Sequence, residues 1–238
     1  MDEAHSNYAS PAGKEWLVGG GEMGKLVSSM DWSKTPLGPR EDWPQSLRTA
    51  VSLCLNSSFP INLMWGPEAV QIYNDGYRPI CGSKHPGSMG QGFYESWSSA
   101  WPAIGDAFAS AAQGQSEFLH NQRMFLDRYG YLEETFFTAS FSPIFDEEGN
   151  IGGLLHPVTE MTDQLLGERR LRVLQAIADV MSDPATVDEA VANAVEELSV
   201  HSRDIPFALF YTLDANRNRA RLTACSGLDE TAAPSARP

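Results

Sequence analysis

The sequence is poor in positive charge. Its 17 lysines and arginines face 31 aspartates and glutamates, for a formal net charge of −14. A nucleic-acid grip needs basic side chains to displace phosphate counterions, so no nucleic-acid partner is expected. The same deficit disfavours an anionic membrane surface. Long apolar runs are missing too, and none approaches the roughly 20 residues that span a bilayer. Residues 1–13 are acidic and polar without an apolar centre, so they do not read as a secretory signal. Cysteine is scarce. Cys54, Cys81 and Cys225 are odd in number and far apart, which points to reduced thiols rather than a disulfide framework. No His/Cys cluster has ligand spacing, so no metal site is expected. No nucleophile–base pair is visible either, which argues against an enzyme. These absences leave a cytoplasmic, acidic, non-catalytic protein.

What is present is a well-patterned core, with 42% hydrophobic and 10% aromatic residues over 238 positions. Residues 1–20 read as a flexible tail, ended by Gly19-Gly20-Gly21. Residues 22–30 carry Met23, Leu26, Val27 and Met30 at helical spacing, and residues 44–55 carry Leu47, Val51, Cys54 and Leu55 on one face. Residues 61–65 and 69–73 form a hairpin around Gly66-Pro67-Glu68. Residues 93–101 and 102–113 read as helices. Three strands follow at 118–126, 131–145 and 151–158, the last pair joined by the turn residues 146–150. Two strands, a helical crossover and three strands predict an α+β domain with one antiparallel sheet and helices on one face. The last strand runs almost directly into a helix over residues 164–181. Thr186 and Glu189 then fit a capping box for a helix through Leu198, and residues 206–213 and 219–225 read as a hairpin. One helix and one hairpin do not close a core of their own.

Several runs resemble a known family. Ile72-Tyr73-Asn74-Asp75-Gly76-Tyr77 and Val158-Thr159-Glu160-Met161-Thr162-Asp163 resemble a PAS domain, the second as a variant of its Asp-Ile-Thr ending. Asp31-Trp32-Ser33, Thr35-Pro36-Leu37-Gly38, Trp43-Pro44, Lys84-His85-Pro86 and Gly167-Glu168-Arg169-Arg170-Leu171 resemble PAS sensors placed N-terminally in bacterial hybrid histidine kinases. Residues 176–225 resemble the start of a GAF domain. The resemblance implies an N-terminal helical cap (21–58), a PAS domain with a five-stranded sheet (59–163), a linker or signalling helix (164–182) and an incomplete GAF-like segment (183–238). It also implies a two-component sensory module acting on a downstream output of its own protein. No phosphoacceptor-His motif or ATP-binding box accompanies it, so no kinase activity is expected of these residues.

A PAS sheet and its helices enclose a pocket. Trp65, Tyr73, Asn74, Tyr77, Trp97, Trp101, Phe108, Phe118, Phe137 and Phe141 are the candidates to line it, against ordinary core packing for each aromatic. Asn74 either meets a ligand or caps the helical segment after it. Haem is disfavoured, because the expected pocket helix 102–113 holds no His and His85, His120 and His156 lie elsewhere. Flavin photochemistry is disfavoured, because Cys81 lies outside the Asn-Cys-Arg-Phe-type motif of light-sensing relatives. Whether any small-molecule ligand binds stays open at this point. Thr159 and Asp163 mark the joint between sheet and helix. Leu171, Leu174, Ala178 and Met181 alternate at spacings of three and four, as a homodimer seam or as a face docked on the chain's own domain.

Overall fold

The computed structural model describes residues 16–184, 186–214 and 216–228. The chain divides into two compact units, with the division between Thr162 and Asp163.

In the first unit α1 (Gly21–Ser29) and α2 (Gln45–Asn56) come first. Leu47, Ala50, Val51, Cys54 and Leu55 give α2 one buried stripe at helical spacing. Two carboxylates from distant loops cap these helices. Glu147 accepts the Ser46 N–H at 2.7 Å and the Ser46 hydroxyl at 3.0 Å, at the first turn of α2. Asp75 accepts the N–H groups of Glu22 (3.0 Å) and Met23 (2.7 Å), at the first turn of α1. Gly21 makes room for that carboxylate. It has φ +60°, and a Cβ there would lie 1.8 Å from Asp75 Oδ2. Trp16 and Leu17, expected in a free tail, are instead packed. Leu17 is buried, and the Trp16 ring lies 5.8 Å from that of Trp43. The rest of the expected tail before Trp16 lies outside the described residues.

The sheet is built from β1 (Ile61–Trp65), β2 (Val70–Tyr73), β3 (Glu117–Leu126), β4 (Glu133–Phe145) and β5 (Ile151–Glu160). The strand order is β2-β1-β5-β4-β3 with every neighbouring pair antiparallel. This is the PAS-like α+β plan. Between β2 and β3 run α3 (Arg78–Cys81), α4 (Phe93–Trp97) and α5 (Trp101–Ala112). They cover the face that carries Asn62, His156, Phe137 and Phe141. The other face is not bare. α2 lies on it, with Cys54 Sγ 3.6 Å from the Ile61 carbonyl oxygen and Ala50 and Leu53 near Ile61 and Leu155. The one-face arrangement thus describes α3–α5, while the N-terminal cap takes the opposite side.

β3 contains a bulge between Leu119 and Gln122. Asn121 sits there at φ 49°, its N–H donating to Thr138 Oγ1 at 3.1 Å. Asn121 Oδ1 in turn accepts from the Thr138 hydroxyl at 3.1 Å.

The second unit contains α6 (Thr162–Val180, whose first residue belongs to the first unit), α7 (Val187–Val200) and a hairpin of β6 (Ala208–Leu213) and β7 (Ala220–Ser226). Thr186 caps α7 by accepting the Glu189 N–H at 3.1 Å. Arg169 and Asp204 form an ion pair at 2.7 Å.

Candidate functional site

A cavity of about 30 Å³ lies between the sheet and α3–α5. Its walls include Ile80 of α3, Trp97 of α4, Ile104 of α5 and Val158 of β5. Of the ten expected pocket residues, Tyr77, Trp97 and Phe137 line it.

The other seven sit elsewhere. Phe141 lies just behind, stacked on the His156 imidazole with centroids 4.1 Å apart. Phe108 stacks on Phe93, itself a cavity residue, at 5.8 Å and meets Phe141 at 6.0 Å, and Trp101 packs on Phe108 at 5.2 Å, so both extend the aromatic packing behind the wall. Tyr73 turns toward the helical side, its hydroxyl 3.0 Å from His85 Nδ1. Trp65 covers Gly152 and Gly153, where any Cβ would come within 2.7 Å of the indole. Asn74 makes five hydrogen bonds to backbone. Its Nδ2 donates to the carbonyls of Cys54 (3.1 Å), Ser57 (3.0 Å) and Phe59 (2.7 Å), and its Oδ1 accepts from Ile61 and Tyr77 N–H. Phe118 departs most from expectation, being 67% exposed on the outer face. Counting back in twos from Leu126 and Met124 lands on Phe118, but the bulge shifts the phase so that Leu119 faces the cavity instead.

Sequence reasoning missed the polar groups of this interior. Gln71 is fully buried on β2. Its Oε1 accepts from Asn62 Nδ2 (2.8 Å) and Trp97 Nε1 (2.9 Å), and its Nε2 donates to Ser96 Oγ (2.8 Å). His156 lines the cavity from β5, and burial lowers its pKa to about 4 against a weaker opposing pull from the Ser140 carbonyl. Burial also holds the Tyr77 hydroxyl protonated far above its usual range, with Cys81 adding to the shift and Asn62 opposing it. An Asn, a Gln or a His within a strand carries no one-dimensional mark that distinguishes the buried face from the wet one, so these groups needed the structure.

The two cofactors weighed from the sequence, haem and flavin, do not fit this cavity. The fused rings of a flavin and the macrocycle of haem both exceed about 30 Å³ many times over. Cys81 follows Ile80 but does not line the cavity, and burial pushes its thiol up to about 12, against adduct chemistry.

A second cluster lies where β5 leaves the sheet. Arg128 is buried, and its guanidinium grips Glu160 through Nη1–Oε2 (2.8 Å) and Nη2–Oε1 (2.7 Å), with Nε donating to Glu133 at 2.7 Å. Burial works against its charge, but Glu160 and Glu133 outweigh it and hold its pKa above the ordinary value. Glu160 also accepts from the Thr162 hydroxyl (2.9 Å), which in turn accepts the Phe136 N–H (3.1 Å). The Arg128 carbonyl accepts the Ser83 N–H at 3.0 Å, tying this cluster to the segment after α3. Glu133 and Glu134 are paired with Arg128 and Arg123 respectively. Thr159 pairs with Thr138 in the β4–β5 ladder, and Asp163 lies exposed in the first turn of α6. Leu171 and Leu174 are exposed at 61% and 62%, and Ala178 and Met181 are exposed as well.

No family model matches the chain, and no curated protein matches it. Solved structures do, and those compared are PAS and light-oxygen-voltage domains. An RNA-binding light-oxygen-voltage receptor is 16% identical over 60% of this chain, with a TM-score of 0.39, and the chain spans 40% of that protein. The PAS domain of a Colwellia psychrerythraea protein is 17% identical over 49% of this chain and 98% of its own, with a TM-score of 0.37. A sensory box sensor histidine kinase from Vibrio cholerae is 15% identical over 43% of this chain and 78% of its own, with a TM-score of 0.33.

Proposed function

We propose that this chain is a non-catalytic sensory module of a sensor-histidine-kinase type of signalling protein. A change at the interior cavity or at a dimer interface alters the end of β5 and is passed to α6. The observation that carries this reading is the Arg128 cluster. One residue, Arg128, holds the segment after α3 through its backbone carbonyl and the Glu160–Thr162 joint through its buried guanidinium. Ile80 of α3 and Tyr77 just before it, a few residues upstream of Ser83, form part of the cavity wall. A shift of that wall therefore has a covalent and hydrogen-bonded route to the first residue of α6. On this reading residues 164–182 are the linker helix and residues 183–238 the start of a GAF-like domain. Leu171, Leu174, Ala178 and Met181 form a homodimer seam that brings two cytoplasmic outputs together.

The test is kinase output in the longer protein. Arg128→Met and Glu160→Gln should change autophosphorylation severalfold in a dimer that still forms. Unchanged output in both variants would defeat the transmission route.

A second reading, a protein-interaction domain with a self-filled interior, draws support from the small volume of the cavity. Native mass spectrometry of freshly purified protein separates the two. A retained small molecule favours sensing, and a clean apo mass favours interaction.

A further inference from the structure

Buried partners fix the orientation of the polar groups beside the cavity. The Trp97 indole N–H can only donate, so the Gln71 atom facing it at 2.9 Å is Oε1. The same oxygen faces Asn62 at 2.8 Å, so the Asn62 atom there is the amide nitrogen. Asn62 Oδ1 must point the other way. It is buried and has no hydrogen-bond donor among the described residues. His156 is fixed in the same manner. The Ser140 carbonyl lies 2.9 Å from Nδ1 and requires the proton there, which leaves the lone pair on Nε2. His156 is 6% exposed and lines the cavity, and its Nε2 bonds to no described residue. Asn62 and His156 stand opposite each other in the β1–β5 ladder, so both unanswered acceptors lie in one part of the interior.

Most of the remaining wall is apolar, from residues such as Ile80, Ile104, Leu119 and Ala139, and the Tyr77 hydroxyl, which is also beside Asn62, is a further polar group on a lining residue. No Asp, Glu, Lys or Arg lines the cavity among the described residues, so an ion there would lack the pairing that burial demands. The occupant must therefore be neutral, donate a hydrogen bond at one end and present carbon at the other. A water needs about 10–15 Å³ of such space, so about 30 Å³ admits roughly two or three heavy atoms.

Resting on the sensory reading above, we propose that the cavity is a binding site for short-chain alcohols. The ligand hydroxyl donates to His156 Nε2, and its carbon chain lies against the apolar wall. Buried acceptors discriminate sharply against isosteres that lack the donor, because such a ligand leaves them unanswered.

Ethanol and dimethyl ether provide the test, since they are isomers that differ in the donor. The 238-residue protein, with its histidine imidazoles labelled with ¹⁵N, is titrated with each. Ethanol should shift the His156 Nε2 resonance saturably, and dimethyl ether should bind at least about tenfold more weakly. His156→Phe should abolish the preference for ethanol, followed through the Met124 methyl group. Should that variant fail to fold, Ala139→Leu fills the cavity without touching the polar groups and should abolish saturable binding of both isomers. Equal responses to the two isomers would overturn the proposal. So would a shift that stays linear up to solvent concentrations, or a resident water on Nε2 that ethanol does not displace. Such failures leave the Arg128 route and its kinase test standing. Conversely, saturable binding with unchanged kinase output would keep the site and defeat the sensory reading.

Discussion

Two clusters of buried polar groups sit in the first unit, and they are organised in opposite ways. Around Arg128, two carboxylates from β4 and β5 face the guanidinium, and a hydroxyl and a backbone carbonyl extend the network. Around His156, the network through Gln71 is closed on one side, but among the described residues Asn62 Oδ1 is left without a donor and the His156 ring is hydrogen-bonded through Nδ1 alone. A closed network locks one geometry, because each bond fixes the partners of the next. An open one is a place where something else can enter, or where stability is being forgone. The first suits a joint that must transmit displacement, and the second suits a cavity that must respond to chemistry.

The contrast can be broken by acid. His156 has a folded-state pKa of about 4, below the ordinary value of 6.5, so the unfolded chain takes up a proton first as pH falls. Its contribution to stability is intact above about pH 6.5 and is lost progressively toward pH 4, by about 3 kcal/mol in all. Urea denaturation across that range should show this slope, and His156→Phe should remove it. Opening the closed network should cost slightly less. Arg128→Met strands Glu160 and Glu133, which keep some solvent, so the expected loss is about 2–3 kcal/mol at pH 7. Chemical denaturation measures it, and Glu160→Gln should cost less because its shape is kept.

A finer comparison lies within the His156 cluster. Gln71→Leu removes the acceptor of Trp97 and Asn62 and should cost about 2–3 kcal/mol, whereas Asn62→Leu also removes an unanswered oxygen and should cost about 1 kcal/mol. Equal losses would mean that the Asn62 oxygen is answered in solution. The smallest effect lies outside both clusters. Asp75→Ala uncaps α1 and should cost about 1 kcal/mol, with faster hydrogen exchange at Glu22 and Met23.

Local chemistry carried most of the fold into view. The β1–β2 hairpin was legible because Gly66-Pro67-Glu68 punctuates two apolar runs, and α2 because its apolar residues recur at helical spacing. The strand-to-helix passage at Thr162 was legible because the hydrophobic period changes there. The candidate site was less legible. Tyr77, Trp97 and Phe137 were identified because aromatics mark an interior, but Tyr73, Trp101, Phe108 and Phe141 are equally aromatic and pack elsewhere. The Arg128–Glu160 pair joins residues 32 positions apart. Such pairings arise from strand order, which no local pattern encodes. Glu147 on Ser46 and Asp75 on Met23 were hidden for the same reason.

The bulge at Asn121 acts as a frame marker for β3. C-terminal to it, Met124 and Leu126 face the core while Arg123 and Phe125 face outward, with Arg123 stacked 4.8 Å from the Phe125 ring. Deleting a residue beyond the bulge, Arg123 for example, would leave the composition of the strand almost unchanged and reverse its reading. Either Phe125 would turn inward in place of Met124 and Leu126, or Phe118 would replace Leu119 at the cavity wall. Deleting Asn121 itself would leave His120 alone opposite Thr138 and keep every facing on both sides, so the bulge is where this strand tolerates the loss of a residue.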